Sequence, residues 1–555
     1  MKTVIIGGVA GGASAAARLR RLDEQAEIIM LERGDYISYA NCGLPYYIGG
    51  AIQDQNDLTL QTPENFRARF AVDVRVRQTA VQIDAEKKIV RVRRLDNGSE
   101  YEEAYDHLIL SPGAEPARPP LPGIDDSRIF TLRTIPDMQR IHEYIRTAAP
   151  KSAVIVGAGF IGIEMAENLS RAGLAVSIVE FAAQILAPFD ADIAAHLHQY
   201  LQLQGVNLYL NRAVKGFAPK DDRLQVELST GEALETDMVL LAVGVKPESE
   251  LAKAAGLETD PKGAILVDEH MKTSHPDIYA VGDAVAVRNF VTGESAHVPL
   301  AGPANKQGRI AADNIAGIPS VYKGTQGSSV LKIFDVTAAA TGLNEKAASA
   351  AGLAYDQVVL YPPAHATYYP GSSSLTMKVL FEKPSGRILG AQVLGQEGAD
   401  KRCDVLAAAI RAQMTAADLT ELELCYAPPF SSAKDPVNMA GFMIENLLTG
   451  KVKQFRWSDV GNVLQNENAV LLDVRSLPEY QAGHIDGAVH IPLDQLRERI
   501  AELPADKTVY VHCQSGLRSY IACRIFSQRG FDCYNLSGGY GFYETVTQDI
   551  ARNQV

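Results

Sequence analysis

One pattern occurs twice in this chain and restricts its fold more than anything else in it. KTVIIGGVAGGASAAARLRRL (Lys2–Leu22) is a short β-branched run, a glycine turn and an Ala/Leu/Arg helix, and SAVIVGAGFIGIEMAENLSRAG (Ser152–Gly173) repeats that order. Each copy is followed by a second apolar strand that ends in an acid, EIIMLE at Glu32 and AVSIVE at Glu180. Strand, glycine turn, helix, strand and acid is the sequence form of a nucleotide-binding βαβ unit. Two copies predict an α/β protein with two Rossmann-like dinucleotide-binding domains.

The second copy has the full GxGxxG spacing in Gly157, Gly159 and Gly162. The first glycine permits the tight turn, the second lets backbone approach a pyrophosphate, and the third lets helix pack on strand. Free N–H groups at the helix N-terminus then face the phosphates. Glu180 can accept both ribose hydroxyls and would repel a 2′-phosphate, and Phe181 follows where an arginine would have rescued one. NADH over NADPH is the expectation. The first copy keeps Gly7, Gly11 and Gly12 but has Val9 in the middle place, with Glu32 as its acid. Two such sites imply two carriers, one nicotinamide and one flavin, the flavin splitting a hydride into electrons for another acceptor.

The chain has 555 residues, of which 46% are hydrophobic and 21% charged, which excludes wholesale disorder, a collagen and a disulfide scaffold. Lys plus Arg is 53 and Asp plus Glu is 66, so the net charge is 53 − 66 = −13. No global field attracts nucleic acid or an anionic membrane, and an anionic ligand needs a local basic site. The 6 cysteines (Cys42, Cys403, Cys425, Cys513, Cys523 and Cys533) include no CxxC pair, and no run of 18 apolar residues occurs. A reducing, cytoplasmic setting is expected. Eleven histidines form no ligand-spaced cluster, so no metal site is expected.

The alternation in Phe70–Val92 predicts antiparallel strands inserted in the first unit, and AYDHLILSPGAEP (Ala104–Pro116) reads as its exit. LLAVGVKPE (Leu240–Glu248) closes the second unit, and PDIYAVGDA (Pro276–Ala284) returns to the first. From Ser329 to about Gly450 the pattern becomes α+β. A short segment ending at the lone Trp457 links it to a last α/β stretch. The expected boundaries are 1–115 with 250–328, 116–249, 329–450, a linker at 451–457, and 458–555.

SYANCGLPYYIGG (Ser38–Gly50) directly follows the Glu32 strand. LPYYIGG has helical character, which places Cys42 at a helix N-terminus, where thiol pKa falls and a thiolate nucleophile forms. No second cysteine lies within ten residues, so Cys42 must store its oxidised state as a sulfenic acid or a mixed disulfide with a small thiol. Cys403 and Cys425 read as packing residues, and Cys523 and Cys533 as core.

The order of glycine turn, SYANCGLPY, LILSPGAEP, GAGFIGIE, TSHPDIYAVGDA, HATYYPG and YAPPFSSAKD resembles the coenzyme A-disulfide reductases, two-dinucleotide-binding flavoproteins, over about Met1–Gly450. The resemblance implies FAD on Gly7, Gly11, Gly12, Glu32, Arg33, Ser111, Asp283 and Ala301, and NADH on Gly157, Gly159, Gly162 and Glu180. It implies coenzyme A passing Ser14, Arg18, Arg21, Ser38 and Asn41, with Cys42 at its thiol end and Lys434 as a further phosphate contact. Arg18 and Arg21 are three apart on one helix face, which suits a phosphate-rich ligand. Tyr368 and Tyr426 match active-site tyrosines expected to reach in from the other subunit of a homodimer built by the 329–450 domain, with Tyr369 an alternative to Tyr368. A basic position of the family after TPE is Phe70 here, leaving Arg67 or Arg69 to substitute.

VYVHCQSGLRSYIACRIF is strand, loop and helix, with Cys513 opening and Arg518 closing a loop of N–H groups that can hold an anionic sulfur. With LLDVRSLPEYQAGHIDGAVHIP and NLSGGY it resembles the rhodaneses, Asp473, Arg475 and His484 matching framework positions. That loop length suits sulfur better than phosphate. The expected whole is an NADH- and FAD-dependent reductase of coenzyme A persulfide and related per- or polysulfides, with Cys42 as nucleophile and Cys513 carrying sulfane sulfur. Three other readings compete: coenzyme A-disulfide reduction, an NADH peroxidase or oxidase, and a non-catalytic redox sensor or sulfur carrier.

Overall fold

The computed structural model describes residues 1–553. The chain folds as two compact units, Met1–Ala182 with Gly205–Gly327, and Ala183–Gln204 with Ser328–Val555.

In the first unit the two βαβ motifs each build a parallel sheet. Lys2–Ile6 lies between Glu27–Leu31 and His107–Leu110, with Ile278–Ala280 and Asp73–Arg75 as the outer strands. Val4 and Ile5 are wholly buried, as a central parallel strand covered on both faces requires. Ser152–Val156 stands likewise between Ala175–Val179 and Met238–Leu241, with Asn207–Tyr209 and Ile129–Phe130 at the edges. Each sheet carries a three-stranded antiparallel insertion: Gln78–Asp84, Ile89–Arg94 and Glu100–Ala104 in one, and Val214–Lys220, Arg223–Leu228 and Ala233–Thr236 in the other. The helix Ala10–Leu22 packs along Ala301–Ile315 so closely that a side chain on Gly308 would overlap the Gly11 carbonyl.

The second unit holds a five-stranded antiparallel sheet in the order Ser329–Ile333, Val336–Gly342, Ile388–Gly395, Thr376–Glu382, Tyr355–Leu360. It also holds a five-stranded parallel sheet, Gln454–Phe455, Cys533–Leu536, Thr508–His512, Ala469–Asp473, Val489–His490. Lys378, 0% exposed, stands in the first of these among Asp190, Asp192 and Glu345. Its ammonium lies 2.8 Å from both Asp192 oxygens and 3.0 Å from Asp190. Burial alone would lower the lysine pKa, but the three carboxylates outweigh it and hold the pKa above its ordinary value. Arg456, just before Trp457, bonds Glu345 and Asp356 and ties the last sheet's approach to the same cluster.

Candidate functional site

Both glycine loops have the geometry their spacing predicts. Gly7 and Gly157 adopt positive φ (100° and 101°), and a Cβ on either would overlap a backbone carbonyl of the neighbouring strand end, Ser111 or Ala242. Gly12 and Gly162 repeat the relation one turn on, each closing against the carbonyl of the first glycine. Nothing lies within 4 Å of the Cβ position of Gly159, the open approach a pyrophosphate needs. Neither following helix, Ala10–Leu22 or Phe160–Arg171, has a side-chain cap, so its first N–H groups remain for phosphate oxygens. The acids also match. Glu32 accepts N–H bonds from Gly8 (2.9 Å) and Gly34 (2.8 Å), and Glu180 from Ala158 (2.7 Å) and Ala182 (2.8 Å). A dinucleotide fits each cradle.

The remaining residues assigned to the first cradle lie around it or engage other groups. The Ser111 carbonyl walls in Gly7, and Asp283 stands in the one-turn 3-10 helix Gly282–Ala284, its carboxyl pKa raised by burial. Ala301 opens the helix Ala301–Ile315. Arg33 pairs with Glu248 at 2.6 Å, which Arg133 also bonds.

Cys42 lies in the 3-10 turn Asn41–Gly43, just before the helix Leu44–Ile48. The residue is open to solvent, with Asn41 Oδ1 4.0 Å from its sulfur. The expectation of a lowered thiol pKa is overturned. Crowding by protein around the sulfur pushes the pKa up, and the negative charges of Glu164 and Asp283 push it further. A helix of 5 residues has too short a dipole to offset two carboxylates. Glu164, whose own pKa is raised by burial, accepts the Tyr46 hydroxyl at 3.2 Å. Sequence reasoning does not single out this pair, although its members stand inside the motifs GFIGIE and LPYY.

A cavity of about 370 Å³ opens over the helix Ala10–Leu22. Ser14, Arg18, Arg21 and Ser38 line it as expected, while Asn41 is not on its wall. Ser14 bonds Asn305, and Arg18 is anchored to Asp313 at 2.6 Å. Phe70 lines the cavity where a base was expected, and neither Arg67 nor Arg69 is on its wall. The Arg67 guanidinium is spent on the Val74 carbonyl (2.6 Å), and Arg69 is exposed off the wall. Arg309 supplies a cation instead, from the helix Ala301–Ile315. No local motif announces it, because its distance from Arg18 in sequence hides their shared wall. Three arginines against Asp313 make this a basic spot on an acidic chain.

In the second unit the hydroxyls of Tyr368 and Tyr426 meet at 2.8 Å, the residues being 74% and 48% exposed. Tyr369 instead sets its ring edge-on to His365. Lys434 is exposed. Cys403 is buried, but Cys425 is exposed, against the packing expectation, because the chain leaves its helix at Leu422 and runs on as a loop.

Cys513 sits buried at the end of the strand Thr508–His512. The Gly516 N–H (3.2 Å) and the Ser519 hydroxyl (3.3 Å) both donate to its sulfur, one backbone donor and one side-chain donor. Sequence reasoning misses Ser519 because it lies one place beyond the six-residue loop. Arg518 is not directed solely at the sulfur. Its guanidinium is bidentate on Glu479, at 2.6 and 2.7 Å. Arg475 is bonded to Asp473 at 2.7 Å, and His484 stacks on Tyr480 with centroids 4.0 Å apart. Cys523 and Cys533 are buried.

Comparisons with known proteins agree with this layout. The family model for pyridine nucleotide-disulphide oxidoreductases matches residues 1–308, that for their dimerisation domain 328–436, and that for rhodanese-like domains 457–544. A coenzyme A disulfide reductase from Staphylococcus epidermidis is 35% identical over 442 residues, 80% of this chain and 99% of that protein. An NADH oxidase from Methanocaldococcus jannaschii is 36% identical over 444 residues, 79% of this chain and 98% of its own. Among solved structures, reduced CoADR-RHD from Bacillus anthracis superposes with a TM-score of 0.97 at 47% identity, covering 99% of this chain and 98% of its own. An NAD-dependent persulfide reductase from A. fulgidus gives 0.91 at 38% identity, covering 98% and 100%. No helix among the described residues is long and apolar enough to cross a membrane.

Proposed function

Because the chain belongs to the pyridine nucleotide-disulphide oxidoreductase family, whose members use FAD and NAD(H), we propose that it is an NADH-dependent reductase of coenzyme A persulfide and related per- and polysulfides. The observation that carries the substrate class is the second sulfur site: one chain joins a solitary thiol beside two dinucleotide cradles to a loop that holds Cys513 sulfur by two donors. Two neighbours that cover nearly the whole chain, one of them a persulfide reductase, support the same reading.

FAD held by the Gly7, Gly11, Gly12 and Glu32 cradle would supply a two-electron carrier between NADH and sulfur. The protein's own part is nucleophilic and positional. Cys42 thiolate attacks the inner sulfur of CoA–S–SH, the S–S bond breaks, and hydrosulfide leaves, giving a Cys42–S–S–CoA mixed disulfide. Two electrons and one proton then regenerate the Cys42 thiolate and release CoA–SH. The balance is NADH + H⁺ + CoA–S–SH → NAD⁺ + CoA–SH + H₂S. Arg18, Arg21 and Arg309 hold the phosphates of coenzyme A in the cavity, with Ser14 and Ser38 along its wall. In the homodimer implied by the dimerisation domain, the Tyr368–Tyr426 pair serves the partner subunit's Cys42, one hydroxyl protonating the leaving thiolate.

The test is a comparison of NADH consumption and hydrosulfide release with coenzyme A persulfide and with the symmetric coenzyme A disulfide. Faster turnover of the persulfide is expected. Preference for the disulfide would favour the second reading, a coenzyme A-disulfide reductase, which the staphylococcal relative supports. An oxidase reading leaves the arginine-lined cavity without a ligand.

Coenzyme choice is tested at the Glu180 loop. The double variant Glu180→Ala/Phe181→Arg removes the carboxylate that excludes a 2′-phosphate and adds a cation for it. The kcat/KM ratio of NADPH to NADH is expected to rise roughly 10–100-fold, from charged hydrogen bonds worth about 1.5–3 kcal/mol. An unchanged ratio would remove Glu180 from coenzyme discrimination.

A further inference from the structure

Arg518, Arg475 and His512 stand on or beside the Cys513 loop, and each is paired or neutral, although the Arg518 guanidinium also interacts with the Cys513 sulfur. Arg518 closes the loop but is bidentate on Glu479. That bond holds the Glu479 carboxyl far below the usual carboxylate range, and the Ser476 N–H and hydroxyl bond the same oxygen, so Glu479 is ionised opposite the arginine at physiological pH. Arg475 is bonded to Asp473, to the Gly483 carbonyl at 2.6 Å and to Gln514 Oε1 at 3.2 Å, and it lies over the Tyr540 ring. His512, next to Cys513 in the chain, is fully buried, and burial lowers its pKa to about 4, so it is neutral at physiological pH. The Gly516 N–H and the Ser519 hydroxyl are both aimed at the Cys513 sulfur.

The rim is apolar. Leu517, inside the loop, is 60% exposed, and Ile521 stands one turn beyond it on the same helix. Leu477, 53% exposed, lies two residues before Glu479 on the helix Leu477–Ala482 that pairs with Arg518. A dianionic donor such as thiosulfate gains more than a neutral or singly charged one from an uncompensated cation near the nucleophile, which offsets its desolvation. A thiol-borne donor needs room for one sulfane sulfur and an apolar surface for its carbon arm.

We propose that Cys513 is loaded by an organic persulfide, R–S–SH, and discriminates against thiosulfate-type dianions through the Arg518–Glu479 pair. This rests on reading the domain as one that carries sulfane sulfur. The step is Cys513–SH + R–S–SH → Cys513–S–SH + R–SH. The donor S–S bond breaks, a bond from Cys513 Sγ to the outer sulfur forms, and the thiol proton goes to the departing thiolate. No electrons are gained or lost overall.

The experiment uses the full chain without NADH and reads the gain of one sulfur on the Cys513 peptide by mass spectrometry, with glutathione persulfide and thiosulfate at equal concentration. The wild type is expected to load from the persulfide on the order of tenfold faster or more, the scale on which a nearby charge alters encounter rates. Glu479→Gln frees the Arg518 charge while glutamine keeps the cap on Ser476. It is expected to raise thiosulfate loading by about tenfold and to leave persulfide loading nearly as it was, which also reports an intact loop. Adding Arg518→Met to Glu479→Gln is expected to cancel the gain. Equal wild-type loading from both donors, or thiosulfate loading unmoved by Glu479→Gln, overturns the proposal and leaves the sulfur-carrier reading standing. No added sulfur on Cys513 from either donor overturns both.

Discussion

Cys42→Ser is expected to lower NADH consumption with coenzyme A persulfide by about 10³-fold or more and to leave FAD content unchanged. The magnitude follows from the loss of the only thiol of the first unit, since the chain's other exposed thiol, Cys425, belongs to the second unit. Serine is nearly the same size but has no accessible anion near neutral pH and forms no disulfide, so no covalent adduct can pass electrons on. Flavin retention is expected because the loop proposed to hold it, Gly7, Gly11, Gly12 and Glu32, is shaped by contacts that do not involve Cys42. Steady-state rates and the flavin-to-protein absorbance ratio measure the two halves separately. A variant that keeps more than a tenth of wild-type turnover would remove Cys42 from the chemistry, and one that loses flavin would reassign it to cofactor binding.

Lys378→Met is expected to be the most destabilising single change in the second unit, by roughly 3–5 kcal/mol. Methionine fills much of the lysine volume, so the loss is electrostatic. Asp190, Asp192 and Glu345 are left close together without the ammonium, and all but Glu345 are buried. The fall in melting temperature should be of order 10 °C. Adding Asp192→Asn removes one of the stranded charges and should recover part of the loss, which a mere packing defect would not allow. The pH dependence has opposing parts: burial raises the Asp190 pKa, so that group works against the acid-side loss that Glu345 produces. Burial opposes ionisation of Glu345, but Lys378 and Arg456 outweigh it and depress its pKa below the ordinary 4.5, so its contribution is present above that value and disappears as the pH falls through the folded-state value. Lys378, with its pKa raised above 10.5, loses its contribution only as the pH rises through the higher folded-state value. In Lys378→Met the acid-side loss should be blunted, because protonating the carboxylates now relieves repulsion. Thermal melts across about pH 3 to 8, a range set by ordinary carboxylate and histidine values, would show this, and a parallel loss in both proteins would contradict it.

What the sequence made legible was whatever a local spacing enforces. The two glycine loops could be read because backbone meets backbone there: a side chain on Gly12 or Gly162 would overlap the carbonyl five residues earlier. The acids Glu32 and Glu180 follow from the same register of paired strands. Arg309 and Glu479 were illegible because each meets its site through a helix whose position is set by packing, the first beside Arg18, the second against Arg518. The direction of the Cys42 shift was misread for a related reason. The turn after the thiol is local and visible, whereas Glu164 acts across space from another βαβ unit. Asp192 and His198 lie in an ordinary-looking amphipathic helix, Ala191–Leu203, yet both are buried, because their partners are Lys378 and Asp549.

The two helices that face each other across Gly11 and Gly308 supply opposite walls of the arginine-lined cavity: Ser14, Arg18 and Arg21 on one side, Asn305 and Arg309 on the other. The bore of that channel is thus gauged by main chain against main chain, not by side chains that could be trimmed or lengthened in small steps. The finest widening that mutation can offer at the crossing is one whole carbon atom. In the proposed coenzyme A site, room for a bulkier ligand would come at the aromatic wall of Phe66 and Phe70, where ring can be exchanged for aliphatic chain without prying the helices apart.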